Sequence, residues 1–132
     1  MWLESLVLLW LLEYLSEYWD DRMKEAIFIE KGKAEAIAHV GKKIFRLLFK
    51  SERMEGIIAE IEKGGTSEFY RHEGEELHIL LKGTIDYQVG DEIYHMHEGD
   101  MLWHKSDIPH RAVNVGNEKA VYITISTPPT FM

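Results

Sequence analysis

The amino-acid sequence predicts an all-β fold, a single barrel or sandwich that follows one amphipathic helix. The chain has 132 residues, about one domain's worth. From residue 26 onward, short β-rich runs replace the helical periodicity, and glycine-containing turns separate many of them. Hydrophobic residues make up 45% of the chain, with four Trp, six Tyr and five Phe, enough for a buried core. We therefore expect a helix over residues 1–22 and one β domain over residues 23–132.

The first element is predicted to be an amphipathic helix rather than a membrane span. The apolar run Leu6–Leu12 has seven residues, whereas a spanning helix needs about 20. Glu4 and Glu13 bracket this run, and no Lys or Arg precedes it as a secretory signal would require, so we expect a cytoplasmic protein. The helix packs on its own domain or forms a subunit interface, since aromatic residues are enriched in interfaces. A homodimer is expected because the helix adds area toward the roughly 1,200 to 2,000 Å² of a specific interface. A natural start at Met23 is a further alternative. The apolar face comprises Leu8, Leu11, Leu12, Leu15, Tyr18 and Trp19.

The rest of the chain is predicted to form nine short strands. Many short runs with turns between them are typical of a β-sandwich or barrel. Pro128 and Pro129 close the last run. The runs are Ala26–Ile29, Ala36–Val40, Ile44–Phe49, Gly56–Ile61, Leu77–Leu81, Ile85–Val89, Glu92–Met96, Met101–His104 and Ala120–Ser126.

Charge and composition exclude several classes of function. Asp and Glu number 23 against 15 Lys and Arg, a formal net charge of -8, and such a surface repels the phosphates of nucleic acids. The chain has no cysteine, so disulfides, thiolate metal sites and cysteine nucleophiles cannot form. Phosphate-binding glycine loops, a zinc-protease helix and a serine-nucleophile turn are absent from the sequence. Any metal ion must therefore use His, Asp, Glu or Tyr.

The histidines supply the functional signal, because six of the seven lie between positions 72 and 110. Tyr70 and His72 share one face of an extended chain, as do Glu76 and His78, since successive side chains of a strand alternate. His110 brings a further imidazole from a later segment. Two neutral imidazoles with a carboxylate are a common ligand set for iron, manganese or zinc, with open positions for water or substrate.

These spacings resemble the two motifs of the cupin family, small β-barrels that often hold a metal ion. The family has His where Tyr70 stands, and Pro and Gly where Lys105 and Asp107 stand. The resemblance covers about residues 44–128 and implies a jelly-roll barrel, also called a double-stranded β-helix. The matching positions are Gly64, Tyr70, His72, Glu76 and Gly83 in the first motif, and Gly99, His110 and Asn114 in the second.

The resemblance implies a divalent metal ion, iron, manganese, zinc or nickel, on His72, Glu76 and His110, with Tyr70 in the place of a fourth ligand. Tyrosine ligates less readily than histidine, because its phenol must lose a proton with a pKa of about 10. The alternative is a pocket in which the same residues bind an organic ligand directly. His95 and His97 are expected to point outward. The residues expected to line the pocket are His78, Ile85, Tyr87, Tyr94, Met96, Trp103 and His104.

The segment from His72 to Leu77, with Pro109-His110-Arg111, is similar to the ligand-sensing cupin domains of helix-turn-helix bacterial regulators. In those proteins a DNA-binding domain precedes the barrel, whereas about 25 acidic and apolar residues precede it here, too few for such a unit. The resemblance thus implies a stand-alone small-molecule binding or sensing module without nucleic-acid or membrane contact. The alternatives are a metal-dependent oxygenase, decarboxylase or isomerase acting on a small oxyanionic substrate, and an interaction domain with a vestigial pocket.

Overall fold

The computed structural model describes residues 25–129, and within that range the secondary structure consists of nine β-strands. The helix predicted over residues 1–22 lies outside the described residues. No helix in the described range is long and apolar enough to cross a membrane. The strands are β1 (Ala36–Val40), β2 (Lys43–Lys50), β3 (Glu55–Ile61), β4 (Glu75–Lys82), β5 (Ile85–Val89), β6 (Glu92–Met96), β7 (Met101–Lys105), β8 (His110–Asn114) and β9 (Ala120–Thr127).

The strands form two antiparallel sheets that share one core. The larger sheet has the order β1-β2-β3-β9-β4-β7, and the smaller has the order β6-β5-β8. Buried side chains of both sheets, such as Leu80 and Tyr122 from the larger and Ile85 and Tyr87 from the smaller, belong to one hydrophobic cluster. The sheets therefore face each other as layers of a single β domain, which confirms the predicted all-β fold.

The interior is polar at one end and apolar at the other. On β4, Glu76, His78 and Leu80 are buried in turn, while the residues between them are less buried, as the two-residue period of a strand requires. Pairing with β9 places Glu76 opposite Ser126 and Leu80 opposite Tyr122. The inward positions of neighbouring strands thus change from polar to apolar in the same direction. This gradient places the chemistry-bearing side chains together.

Two expectations about strands were wrong. The run Ala26–Ile29 forms no strand, and Phe28 is 85% exposed, because no strand among residues 25–129 pairs with this run. The strand β8 was not among the predicted runs. Its inward residues are His110, Ala112 and Asn114, which give no hydrophobic alternation. The other eight predicted runs are strands whose ends differ by at most two residues.

Candidate functional site

The polar end of the interior contains a cavity of about 330 Å³. This volume lies near the lower end of the range of about 300–1,000 Å³ typical of small-molecule sites. Residues of β2, β3, β4, β5, β8 and β9 line it, together with the segment before β4. Tyr70 and His72 line it and are partly exposed, so solvent reaches the cavity beside them.

The Glu76 carboxylate is the centre of the site, and its two oxygens contact different histidines. Oε1 contacts Nε2 of His72 and lies 3.3 Å from Nε2 of His110. Oε2 lies 3.3 Å from Nε2 of His78 and 3.9 Å from Nε2 of His104. Except for His72, these side chains are almost fully buried. Four imidazoles therefore surround one carboxylate.

Backbone pairing brings His72 and His110 to this point from distant parts of the sequence. Tyr70 forms a two-way backbone bridge with His110, with N···O distances of 2.9 and 3.0 Å. The His72 amide donates to the Ser106 carbonyl at 2.9 Å. The segment before β4 is thereby tied to the start of β8. The rings of His72 and His110 meet edge to face, with centroids 5.3 Å apart.

The orientation of His110 indicates what Glu76 and its neighbours bind. Nδ1 of His110 lies 2.8 Å from the Ile108 carbonyl oxygen, which can only accept a hydrogen bond, so Nδ1 carries a proton. In the neutral ring the Nε2 lone pair then points at the carboxylate, and these two electron-rich atoms repel unless a proton or a metal cation lies between them. Nδ1 of His72 faces the Glu73 carbonyl oxygen at 3.3 Å in the same way.

The donor set fits a divalent metal ion. One ligand atom each of His72, Glu76 and His110 lies within 4.8 Å of the others. Two imidazole nitrogens and one carboxylate oxygen suit iron, manganese or zinc. The carbonyl contacts of the two Nδ1 atoms are the second-sphere interactions that hold metal-binding histidines in orientation.

The electrostatics of the site favour a cation. Burial opposes ionisation of Glu76, but contacts with His110 and His72 and the charge of nearby imidazoles outweigh it and hold the pKa of Glu76 well below its ordinary value. The hydrogen bond to Glu76 raises the pKa of His72. Glu76 is therefore a carboxylate throughout the neutral range, in a place where water screens it poorly.

His78 and His104 form a hydrogen-bonded pair behind Glu76. Their Nε2 atoms are 2.8 Å apart, and their rings are inclined by only 20° with centroids 5.0 Å apart, so the rings meet end to end. Nδ1 of His104 donates to the Lys105 carbonyl at 2.9 Å, and Nδ1 of His78 lies 2.7 Å from the Thr124 hydroxyl. Burial lowers the pKa of His78 to about 3 and also lowers that of His104.

This geometry makes the second histidine pair a poor metal site. Ligand atoms of Glu76, His78 and His104 also lie within 4.8 Å of one another. However, the two imidazoles point at each other rather than at a common third point, and each nitrogen has a hydrogen-bond partner. We interpret this pair as a neutral support that keeps Glu76 in position.

The other predicted pocket residues fall into three groups. Tyr87 is buried and lines the cavity, and its ring lies 4.2 Å from that of His78. Ile85 and Met96 are buried in the hydrophobic cluster away from the cavity lining. Tyr94 and Trp103, which are 44% and 55% exposed, do not line it.

The orientation of the edge strands explains why Tyr94 and Trp103 do not line the cavity. Trp103 alternates with buried His104 along β7, so the two side chains point to opposite faces. Its indole Nε1 instead donates to the Glu75 carboxylate at 3.2 Å. Tyr94 lies on β6, an edge strand on which only Met96 is buried. His95 and His97 are exposed, as the sequence predicted.

Several cavity residues carry no motif and were missed. Lys43 and Phe45 alternate on β2, and Tyr122 and Thr124 alternate on β9, with all four facing the cavity. On β9 the sequence did contain a signal, because every second residue from Ala120 onward faces inward. A lysine at the start of a strand, by contrast, is normally a surface residue, so nothing local indicated that Lys43 is buried.

Sequence comparison links the central part of the chain to a known family. A family model described as a cupin domain matches residues 57–126. An uncharacterized protein from Archaeoglobus fulgidus is 37% identical over 60 residues, which are 46% of this chain and 57% of that relative. The chain thus matches little more than half the length of that curated relative.

Solved structures show the same fold at low sequence identity. An RmlC-like cupin from Shewanella frigidimarina superposes with a TM-score of 0.73 at 16% identity, over 81% of this chain and 95% of that chain. The cupin domain of an XRE family transcriptional regulator from Enterobacter cloacae gives 0.63 at 16% identity, over 68% of this chain and all of that one. Because the family model matches more than half of the chain and the fold agrees, this chain belongs to the cupin family.

Proposed function

We propose that this protein binds a divalent metal ion through His72, Glu76 and His110, and a small organic ligand in the adjoining cavity, as a ligand-binding or sensing module. The observation that carries the proposal is the orientation of His110. Its Nδ1 proton is held by a backbone carbonyl, while its Nε2 faces the buried Glu76 carboxylate at 3.3 Å. A bound divalent ion would neutralise this arrangement and act there as a Lewis acid or redox centre.

Tyr70 is better suited to the organic ligand than to the metal ion. Burial, aided by the charge of Glu68, raises the pKa of Tyr70 above its ordinary value. The phenol therefore stays protonated at neutral pH and can donate a hydrogen bond into the cavity that it lines. Three protein ligands then leave coordination positions open, as in sites that take an exogenous ligand.

A metal-dependent enzyme acting on a small oxyanionic substrate is the second candidate function. The observation that favours it is the burial of the site, since Glu76 and His110 are almost inaccessible to solvent. A substrate in the cavity would be shielded from water, which strengthens every charge interaction with it. Consumption of a ligand, rather than binding alone, distinguishes an enzyme from a sensor.

Metal analysis tests the proposal. After removal of metal with a chelator and reloading with Mn²⁺, Fe²⁺ or Zn²⁺, we expect about one tightly held ion per chain, because one three-residue donor set fits such an ion. The loaded protein is then incubated with small carboxylic acids, and binding and turnover are both followed. A protein that takes up none of the three ions would contradict the metal assignment.

We further propose that the protein is a homodimer. On β7, an edge strand of the larger sheet, Met101 and Trp103 are exposed, and buried apolar surface would favour association. Light scattering should give twice the mass of one chain for the full-length protein, and comparison with a chain starting at Met23 tests the contribution of residues 1–22. A full-length monomer rules out the dimer, and an unchanged dimer after truncation shows that those residues do not join the subunits.

A further inference from the structure

Lys43 is a buried cation in the ligand cavity. It is the first residue of β2, is only 4% exposed and lines the cavity. Its Nζ lies 4.6 Å from the ring centroid of Phe45, 5.5 Å from that of Tyr122 and 5.8 Å from that of Tyr70. Within residues 25–129, no hydrogen bond or ion pair to this Nζ is found.

A buried ammonium without an acceptor is unfavourable. Its three N–H donors lose their water on burial and need acceptors in return. Contacts with aromatic faces compensate only part of this cost. Burial accordingly lowers the pKa of Lys43 to about 7, although the Glu76 carboxylate opposes the shift. A methionine would fill a similar volume without the penalty, so packing alone does not account for a lysine here.

Lys43 lies outside the part of the chain that the family model matches. It lies before residues 57–126, the part matched by the cupin domain model. A divalent ion bound at Glu76 would also neutralise the carboxylate that favours the charged form of Lys43. An organic anion bound beside Lys43 would restore an interaction that favours its charged form.

We infer that Lys43 anchors the carboxylate of a small organic acid bound in this cavity. The inference rests on the proposal that the cavity binds a ligand, and it names the chemical class of that ligand. The ammonium would supply charge-assisted hydrogen bonds to the carboxylate, while Phe45 and Ile57, which line the same cavity, contact its apolar part. Because the buried carboxyl groups of Glu55 and Glu76 also line the cavity, a monocarboxylate suits it better than an acid of higher charge.

Binding of benzoate and of its neutral analogue benzamide tests the inference. Calorimetry at pH 7 on chelator-treated full-length protein isolates the effect of Lys43 from that of the metal ion. Wild type should bind benzoate about tenfold or more tightly than benzamide, the range of a charge-assisted hydrogen bond. Lys43→Met should lose this preference and leave benzamide binding unchanged. Lys43→Arg, which keeps the charge, should retain most of it.

Lys42→Met is the matched control, because it removes the same charge from the adjacent, exposed position and should bind both compounds as wild type does. Circular dichroism checks the fold of each variant, and the comparison of the two compounds in wild type needs no variant. Equal affinities in wild type, no binding of either compound, or an undiminished preference in folded Lys43→Met would overturn the inference.

Metal content, measured on the same proteins, separates this inference from the proposed function. Retention of metal without a preference for benzoate removes the role of Lys43 and leaves the metal assignment standing. If the protein never takes up metal but prefers benzoate in a way that depends on Lys43, the metal assignment is wrong and the role of Lys43 stands. Failure of both compounds to bind removes the inference, whereas the ligand-binding half of the proposed function is decided by the separate incubation of the metal-loaded protein with small carboxylic acids.

Discussion

Replacing His110 by alanine is expected to abolish tight metal binding. The change removes one of two imidazole ligands, and the Nε2 that faces Glu76 at 3.3 Å is lost with it. Loss of a residue that only supports a ligand costs about 10- to 100-fold in affinity, so loss of the ligand itself should cost more than about 100-fold. Elemental analysis after gel filtration and calorimetric titration with Zn²⁺ or Mn²⁺ measure the effect.

His97→Ala is the control for this experiment. The side chain of His97 is 72% exposed and lies beside Asp100, away from the cavity. This variant should keep the metal content and affinity of wild type. An unchanged metal content in folded His110→Ala would show that the three-residue assignment is wrong.

Replacing Gly74 by alanine is expected to destabilise the fold and disturb the site. Gly74 has φ +112°, and a Cβ at this position would overlap the Thr127 carbonyl oxygen and lie 2.6 Å from Cδ of Pro128. Strain and overpacking together should cost about 3 kcal/mol or more, which corresponds to a fall in Tm of roughly 10 °C. Thermal unfolding followed by circular dichroism measures the loss.

The same substitution should weaken metal binding, because the Gly74 carbonyl accepts a hydrogen bond from the Ser106 amide at 2.9 Å, and the Ser106 carbonyl in turn holds the His72 amide. Gly99→Ala is the matched control. Gly99 has φ +88°, but no atom lies within 4 Å of its added Cβ, so the variant should lose only about 1 kcal/mol. Equal effects at the two positions would show that the contact with Thr127 is unimportant.

The strands could be predicted because their local patterns agree with their environments. On β9, for example, Ala120 and Tyr122 alternate with less buried residues, and such alternation is visible in the sequence. On β8 the inward positions hold His110, Ala112 and Asn114, and the pattern fails. That strand forms through backbone pairing with β5 and with Tyr70, and of its inward side chains only Ala112 belongs to the hydrophobic core.

The facing of edge strands could not be predicted in the same way. Trp103 and His104 are adjacent and therefore lie on opposite faces of β7. In the structure His104 is the buried residue of the two. Both assignments are compatible with the local sequence. The choice depends on which face of β7 the completed sheet turns toward the core, a property of strand pairing across distant segments.

The sequence by itself determined that this chain is a β protein without thiolate chemistry, and that His72, Glu76 and His110 follow the cupin spacing. Only the tertiary structure shows which imidazole nitrogen faces Glu76 and that His78 and His104 are hydrogen-bonded to each other. It also shows that Lys43 is buried among aromatic rings. Alternation of polar and apolar residues along a strand is a local property, so it can be recognised from consecutive residues of the sequence. Hydrogen bonds, charge and desolvation act through space between residues far apart in the chain, so they are defined only when the sheets have closed around them.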